Sequence, residues 1–278
     1  MNPDNIFNQK SDPPADLKGF LIPAKTGERM YACLFRPKGS GPRPTVLLLH
    51  GYPGDENNYD LAHAFQRAGY TVVIFHYRGT WGSEGRFSLR HVLEDAASAV
   101  AFIRRHSGEE PYLFDSEKLI LVGHSMGGFA ALQTAAVDSG VLGVAAVCAF
   151  DFSLTARRPA LREAVRKEFA DCLPIRRIGL DELMGEIDEN ASAWSFPALA
   201  ERLSKKPVCL IGGERDAISP PKHHLSPLAA ALRRAAGEPV MEKLLDDGHC
   251  LSGTRPELAK FLLGWMDGLS AGRQRSAG

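Results

Sequence analysis

The stretch LILVGHSMGGFAAL, residues 119–132, decides how this chain is read. Leu119 to Val122 form an apolar run without alternation, the pattern of a strand buried on both faces. From Met126 onward, MGGFAALQTAAV (126–137) reads as a helix. Between them lies Gly123-His124-Ser125-Met126-Gly127, a G-x-S-x-G pattern. Taken alone it is weak, because ordinary Gly and Ser usage produces it in roughly one chain in ten of this size. Its setting gives it weight. On a strand–turn–helix, the central serine sits on a sharp, strained turn that exposes its hydroxyl. Gly123 and Gly127 leave room for that turn, and Gly128 lets the helix pack closely. The helix N-terminus offers unpaired N–H groups to a developing anion. The plainer alternative is a glycine-rich turn that only has to be tight.

The same strand-like pattern recurs outward in both directions. PTVLLLHG (44–51), TVVIFHYRG (71–79), VLGVAAVCAF (141–150), PVCLIGG (207–213) and PVMEKLL (239–245) are apolar runs, most of them ending at a turn residue. GFLIPAKTGERMYACLFRP (19–37) reads as two strands around a turn at 25–28. Helical patterns fall between: 59–70, 89–106, 126–137 and, last, 255–269. Strands alternating with helices predict an α/β fold with a mostly parallel sheet covered on both faces. The alternation breaks once. Between Phe152 and Pro207 there is no strand-like run, and 159–173 and 179–190 show amphipathic helical spacing. Too long for an ordinary connection, this interval is expected to be a small helical insertion. The expected division is a core over 17–153 and 207–270, a helical cap over 154–206, and loose termini at 1–16 and 271–278.

Composition narrows the function. The 278 residues are 44% hydrophobic and 24% charged, with formal net charge zero. Such a balance argues against a nucleic-acid or anionic-membrane partner, both of which reward a basic surface. Five scattered cysteines without a C-x-x-C pair argue against a disulfide framework and a zinc site. No apolar run approaches the ~20 residues that span a bilayer, and the N-terminal stretch lacks the pattern of a signal peptide. A cytoplasmic protein is expected.

An elbow serine needs a base to take its proton. Of nine histidines, His63, His91 and His106 fall in helical segments, His76 in a strand run and His124 inside the elbow, pointing away from Ser125. His223 and His224 follow two prolines, with no third metal ligand near in sequence. His249 follows the last strand on a Gly-containing loop, at the sheet edge where ligands bind in open α/β folds. It is the expected base. Its neighbours Asp246 and Asp247 pose the question of which carboxylate serves it. Attack on a carbonyl also needs two N–H donors for the oxyanion. Met126 supplies one, and the turn HGYPG (50–54) offers Tyr52 as the other, unless Tyr52 only caps a pocket.

With these residues placed, the chain resembles the α/β-hydrolase superfamily over roughly residues 19 to 270. HGYPG (50–54), YRGTWGSEG (77–85), GHSMGG (123–128), GGERDAISPP (212–221) and DGHC (247–250) carry the resemblance. It implies an eight-stranded, mostly parallel sheet and the chain order nucleophile, acid, histidine, with the acid just after the penultimate strand. That loop holds Asp216, with Glu214 as the nearest competitor. The pattern is similar to single-domain esterases, to serine aminopeptidases and to cinnamoyl and feruloyl esterases with a small helical insertion. HGYP also matches epoxide hydrolases, but those use an Asp where this chain has Ser125.

The resemblance implies a serine carboxylesterase acting through Ser125, Asp216 and His249, without metal or cofactor, on a small-molecule ester. An aminopeptidase or amidase is the alternative, with Glu186, Asp188 and Glu189 as possible anchors for an amino terminus. A non-catalytic binding protein on the same fold is a third reading. Trp194 and Phe196 are the expected pocket aromatics, and Trp81 is a further candidate. Phe169 is assigned to the insertion's own core. Arg157, Arg158 and Arg162 are charges that a substrate acid would meet, or simply a solvated face. Acyl and alcohol specificity and oligomeric state are not legible.

Overall fold

The computed structural model describes residues 13–172, 175–235, 237 and 240–276, with side chains through 269. Asp16–Pro23 (β1) and Arg29–Arg36 (β2) form an antiparallel hairpin. Arg43–Leu49 (β3), Tyr59–Arg67 (α1), Thr71–Phe75 (β4), Leu89–Arg105 (α2), Phe114–His124 (β5), Met126–Val137 (α3) and Gly143–Val147 (β6) then alternate. After β6 come a 3-10 turn Phe152–Arg157, helices Pro159–Asp171 (α4) and Leu180–Trp194 (α5), a second 3-10 turn Phe196–Leu199, and the short helix Ala200–Leu203 (α6). The chain re-enters the sheet at Val208–Gly213 (β7) and continues through Pro221–His224 (α7), Ser226–Arg234 (α8), Val240–Leu245 (β8) and Arg255–Ser276 (α9).

Among the described residues the strands form one eight-stranded sheet, ordered β1-β2-β4-β3-β5-β6-β7-β8. Pairing is parallel from β4 through β8 and antiparallel for β1–β2 and β2–β4. This is the α/β-hydrolase fold. Its central strands are apolar without alternation because both faces are covered. Leu47, Val73, Leu121, Ala146 and Leu210 point to the layer holding α2, α3, α8 and the insertion. Their neighbours Val46, Val72, Ile120, Ala145 and Cys209 point to the layer of α1 and α9.

The edge strand departs from the expected burial. In β8, Met241 and Leu244 are exposed, and Glu242 and Lys243 stand between them. An edge strand has a sheet neighbour on one side only, and its charges discourage pairing with another chain. β5 starts earlier than its apolar run, at Phe114, and carries a register shift opposite Pro44/Thr45 before that run begins. The helix α8 and the 3-10 turns were not expected. α9 runs on to Ser276, into the stretch read from sequence as a loose tail, whereas residues 1–12 and 277–278 lie outside the described residues. Among the described residues no helix is long and apolar enough to cross a membrane.

Several contacts hold the helical segment between β6 and β7 in place, among them two sets of hydrogen bonds. The buried Asp151 carboxylate accepts from the Ser153 N–H at 3.0 Å and hydroxyl at 2.6 Å, and from the Phe196 N–H at 3.1 Å. One side chain therefore joins both ends of the segment. Farther out, backbone bonds Phe87 N to Arg176 O (2.8 Å), Arg176 N to Gly79 O (2.8 Å) and Ile178 N to Phe87 O (3.0 Å) pair the α4–α5 connection with the loop after β4. A Cβ on Gly79 would stand 2.4 Å from the Arg176 carbonyl, so this approach requires glycine.

Candidate active site

Ser125 stands between β5 and α3 with φ 54° and ψ −116°, a strained conformation for a non-glycine residue. The glycines around it explain how the turn closes. A Cβ on Gly123 would lie 2.0 Å from the Gly127 carbonyl, and one on Gly127 would lie 1.9 Å from the Leu49 carbonyl. Any side chain at either position would force the turn open. Sheet and helix over-determine the serine instead: its N–H donates to Val147 O at 2.9 Å, and its carbonyl accepts from Phe129 N at 3.1 Å.

The structure brings Ser125, His249 and Asp216 together. His249 Nε2 is 2.9 Å from Ser125 Oγ, and Nδ1 is 2.8 Å from Asp216 Oδ2. Asp216 Oδ1 accepts the Ile218 and Ser219 N–H groups at 2.9 and 2.8 Å. Burial pushes the Asp216 carboxyl up, but the contact with His249 and the Ser219 donors outweigh it and hold its pKa at about 2. The carboxylate is therefore charged and aligned with the imidazole. Ser219, which sequence reasoning missed, has its hydroxyl 2.7 Å from Cys148 O, 2.9 Å from Asp216 Oδ2 and 3.2 Å from His249 Nδ1. Its position in the Asp-Ala-Ile-Ser-Pro turn was the available signal.

The competing carboxylates have other partners. Asp246 pairs with Arg215 at 3.0 Å. Asp247 accepts the N–H groups of Gly248 (2.7 Å), Gly253 (2.7 Å) and Thr254 (3.1 Å), closing the loop and leading into α9. His124 points away from the serine, its Nε2–H donating to the His249 carbonyl at 2.9 Å. That bond steadies the histidine loop. Burial lowers the pKa of His124 to about 4, which keeps it neutral.

The loop after β3 lies against the elbow. A Cβ on Gly51 would meet Ser125 Cβ at 3.1 Å, which places the Tyr52 backbone beside the serine. Among the described residues neither the Tyr52 nor the Met126 N–H has an intramolecular acceptor. The Tyr52 ring packs on Phe87 and Phe169, with centroids 5.3 and 4.9 Å away. Burial raises its hydroxyl pKa far above the ordinary value, helped by the Cys172 thiol.

A cavity of about 330 Å³ opens over Ser125, Met126 and His249, at the small end of small-molecule sites (roughly 300–1,000 Å³). Tyr52, Phe150, Phe152, Ile218 and one face of α4 line it, including Leu161, Val165, Glu168 and Phe169. The structure revises three expectations. Trp194 and Phe196 do not line the cavity. They are buried against Phe129 of α3, with centroids 5.4 and 6.5 Å away, because the end of α5 turns down onto the sheet layer. Phe169, assigned from sequence to the insertion's interior, is a cavity wall. Trp81 also lies away from the cavity. Its indole N–H donates to Pro53 O at 2.8 Å, so it braces the loop that carries Tyr52. The Trp81 loop is itself anchored by buried Arg78, which donates to Asp95 from its backbone N–H (2.8 Å) and Nε (2.6 Å).

His124, Cys148 and His249 bring potential metal donors within 4.8 Å of one another. They fit a metal poorly. Both His249 nitrogens are engaged by Ser125 and Asp216, and burial pushes the Cys148 thiol pKa well up, keeping it protonated.

Comparison with known proteins agrees with the architecture. The model of the alpha/beta hydrolase family matches residues 46–259. An uncharacterised Mycobacterium tuberculosis protein is 27% identical over 232 residues, covering 79% of this chain and 67% of its own length. The alpha/beta hydrolase GrgF of Penicillium sp. sh18 superposes with a TM-score of 0.68 at 18% identity, over 92% of this chain and 99% of that one. An acetyl xylan esterase from Paenibacillus sp. R4 gives 0.67 at 19% identity, over 94% and 85%.

Proposed function

Since the chain belongs to the α/β-hydrolase family, we propose that it is a serine carboxylesterase working through an acyl-enzyme. The observation that carries this reading is the unbroken hydrogen-bonded chain from Asp216 through His249 to Ser125 on a strained elbow. His249 Nε2 takes the Ser125 proton as Oγ attacks the ester carbonyl. The Tyr52 and Met126 N–H groups hold the oxyanion. The imidazolium returns its proton to the departing alcohol, and water repeats the attack on the acyl-serine with His249 again as base. Asp216 fixes the tautomer and stabilises the charged ring. A compact, mostly apolar cavity beside Ser125 supports small or medium acyl groups.

An aminopeptidase of this fold loses support from the positions first considered as anchors. Asp188 pairs with Arg162 at 2.6 Å, Glu189 with Arg90, and Glu186 accepts the Arg90 N–H at 3.1 Å. A fluorophosphonate probe followed by peptide mapping tests the proposal, with p-nitrophenyl esters and aminoacyl anilides compared in parallel. Labelling at Ser125 and preferential ester turnover are expected. An unlabelled Ser125 in the native protein excludes the mechanism.

A further inference from the structure

We propose that Glu168 selects substrates by charge, favouring esters whose far end carries an ammonium group over those carrying a carboxylate. This inference rests on the esterase reading above.

The argument begins with α4. Leu161, Val165, Glu168 and Phe169 are spaced at i, i+4, i+7 and i+8 and share one helix face, the face that roofs the cavity. Three of the four are apolar. Glu168 is the sole carboxylate among the residues lining this cavity, and it is exposed at the rim while Phe169 beside it is buried. A solvated carboxylate on a helix ordinarily needs no explanation, but here it borders an opening that leads to the serine.

Two arginines of this segment are committed to other carboxylates. Arg162 is held by Asp188 at 2.6 and 2.8 Å, and Arg166 by Asp181 at 2.7 Å. Arg177 donates to the Phe169 and Ile178 carbonyls at 2.9 and 3.0 Å. Among the described residues Glu168 has no ion-pair partner. Burial raises the Cys172 thiol pKa, and both Asp55 and Glu168 push it further. Arg177 opposes Glu168 at the Tyr52 hydroxyl. A substrate cation reaching from the acyl-binding space to this rim meets a favourable field, and a substrate carboxylate meets repulsion.

The test uses p-nitrophenyl esters of three acids of matched length, ending in trimethylammonium, tert-butyl or carboxylate. Each protein's kcat/KM on the tert-butyl ester normalises the other two. Wild type should prefer the cationic over the anionic ester on the order of tenfold at low salt, with the preference shrinking as salt screens it. Glu168→Gln should lower that ratio at least threefold, and Glu168→Lys should invert it. An unchanged ratio in both variants, with all three esters turned over, overturns this inference alone. Failure of all proteins on every ester, with Ser125 unlabelled by fluorophosphonate, overturns the esterase reading and this inference with it.

Discussion

Ser125 and His249 lie 124 positions apart in the chain, and Oγ of the serine stands 2.9 Å from Nε2 of the histidine. Two parallel strands make that meeting possible. β5 ends at the elbow, β8 ends just before the histidine loop, and parallel pairing through β6 and β7 brings both C-terminal ends to one edge.

The position of the acid gives the sharpest mutational contrast. Asp216→Asn should lower kcat on an ester by about 10³–10⁴-fold, because the imidazole loses its tautomer control and its counter-charge. Asp246→Asn, which removes an exposed pair with Arg215, should change kcat less than about threefold. Steady-state kinetics on one p-nitrophenyl ester decides it, and a reversed order transfers the role to Asp246.

The pH profile should show one ionisation on its acid side. With Asp216 held at about 2, its carboxylate adds no ionisation to the acid limb at mildly acidic pH, and the mechanism requires one unprotonated base. A log kcat/KM plot should therefore descend with a slope of one on acidification, and a slope of two would place a second titrating group in the mechanism.

Stability should fall on mild acidification for a different reason. His50, His76, His124 and His224 are buried, and burial lowers their pKa values from 6.5 to about 3, 4, 4 and 4. Each favours the folded state fully above the unfolded value of 6.5, and that contribution is lost as pH falls toward the folded value. At pH 5 the loss is roughly 2 kcal/mol per histidine. Asp95 works the other way, since burial holds its carboxyl up at about 6 despite Arg78. Urea unfolding at pH 7, 6 and 5 should reveal a net uptake of at least two protons on unfolding near pH 5. A flat stability curve would contradict neutral burial of these rings.

Two phenylalanines separate wall from core. Phe169→Ala should raise kcat/KM on an octanoyl relative to a butyryl ester severalfold, since it enlarges the cavity. Phe196→Ala should leave that ratio unchanged and cost ~3–5 kcal/mol of stability. Both are read from an acyl-length series and a denaturant curve.

Much of this site was legible because its parts are local. The elbow is written in consecutive residues, each glycine answering a specific collision, and His249 follows the last strand. Asp216 came from the resemblance to the α/β-hydrolase superfamily, which implies an acid just after the penultimate strand. What escaped the sequence depended on orientation. An amphipathic pattern in 159–173 shows that one face of a helix is apolar, but not whether that face meets packed side chains or a cavity. Phe169 was assigned to the insertion's core for that reason. Ser219 was missed because a serine in a turn has many ordinary uses. The exposure of Met241 and Leu244 follows from β8 lying at the edge, which its own residues do not announce.

The two sets of hydrogen bonds on the helical segment have a consequence for how this protein can vary. Asp151 locks the segment at its base, and the backbone pairing at 79, 87, 176 and 178 locks it again beyond α4. Residues 159–171 lie between those points and line the cavity, yet contribute no strand, no elbow residue and no part of the histidine loop. Substitutions within this one short passage can therefore reshape the cavity while the elbow and the histidine loop, encoded elsewhere, stay as they are.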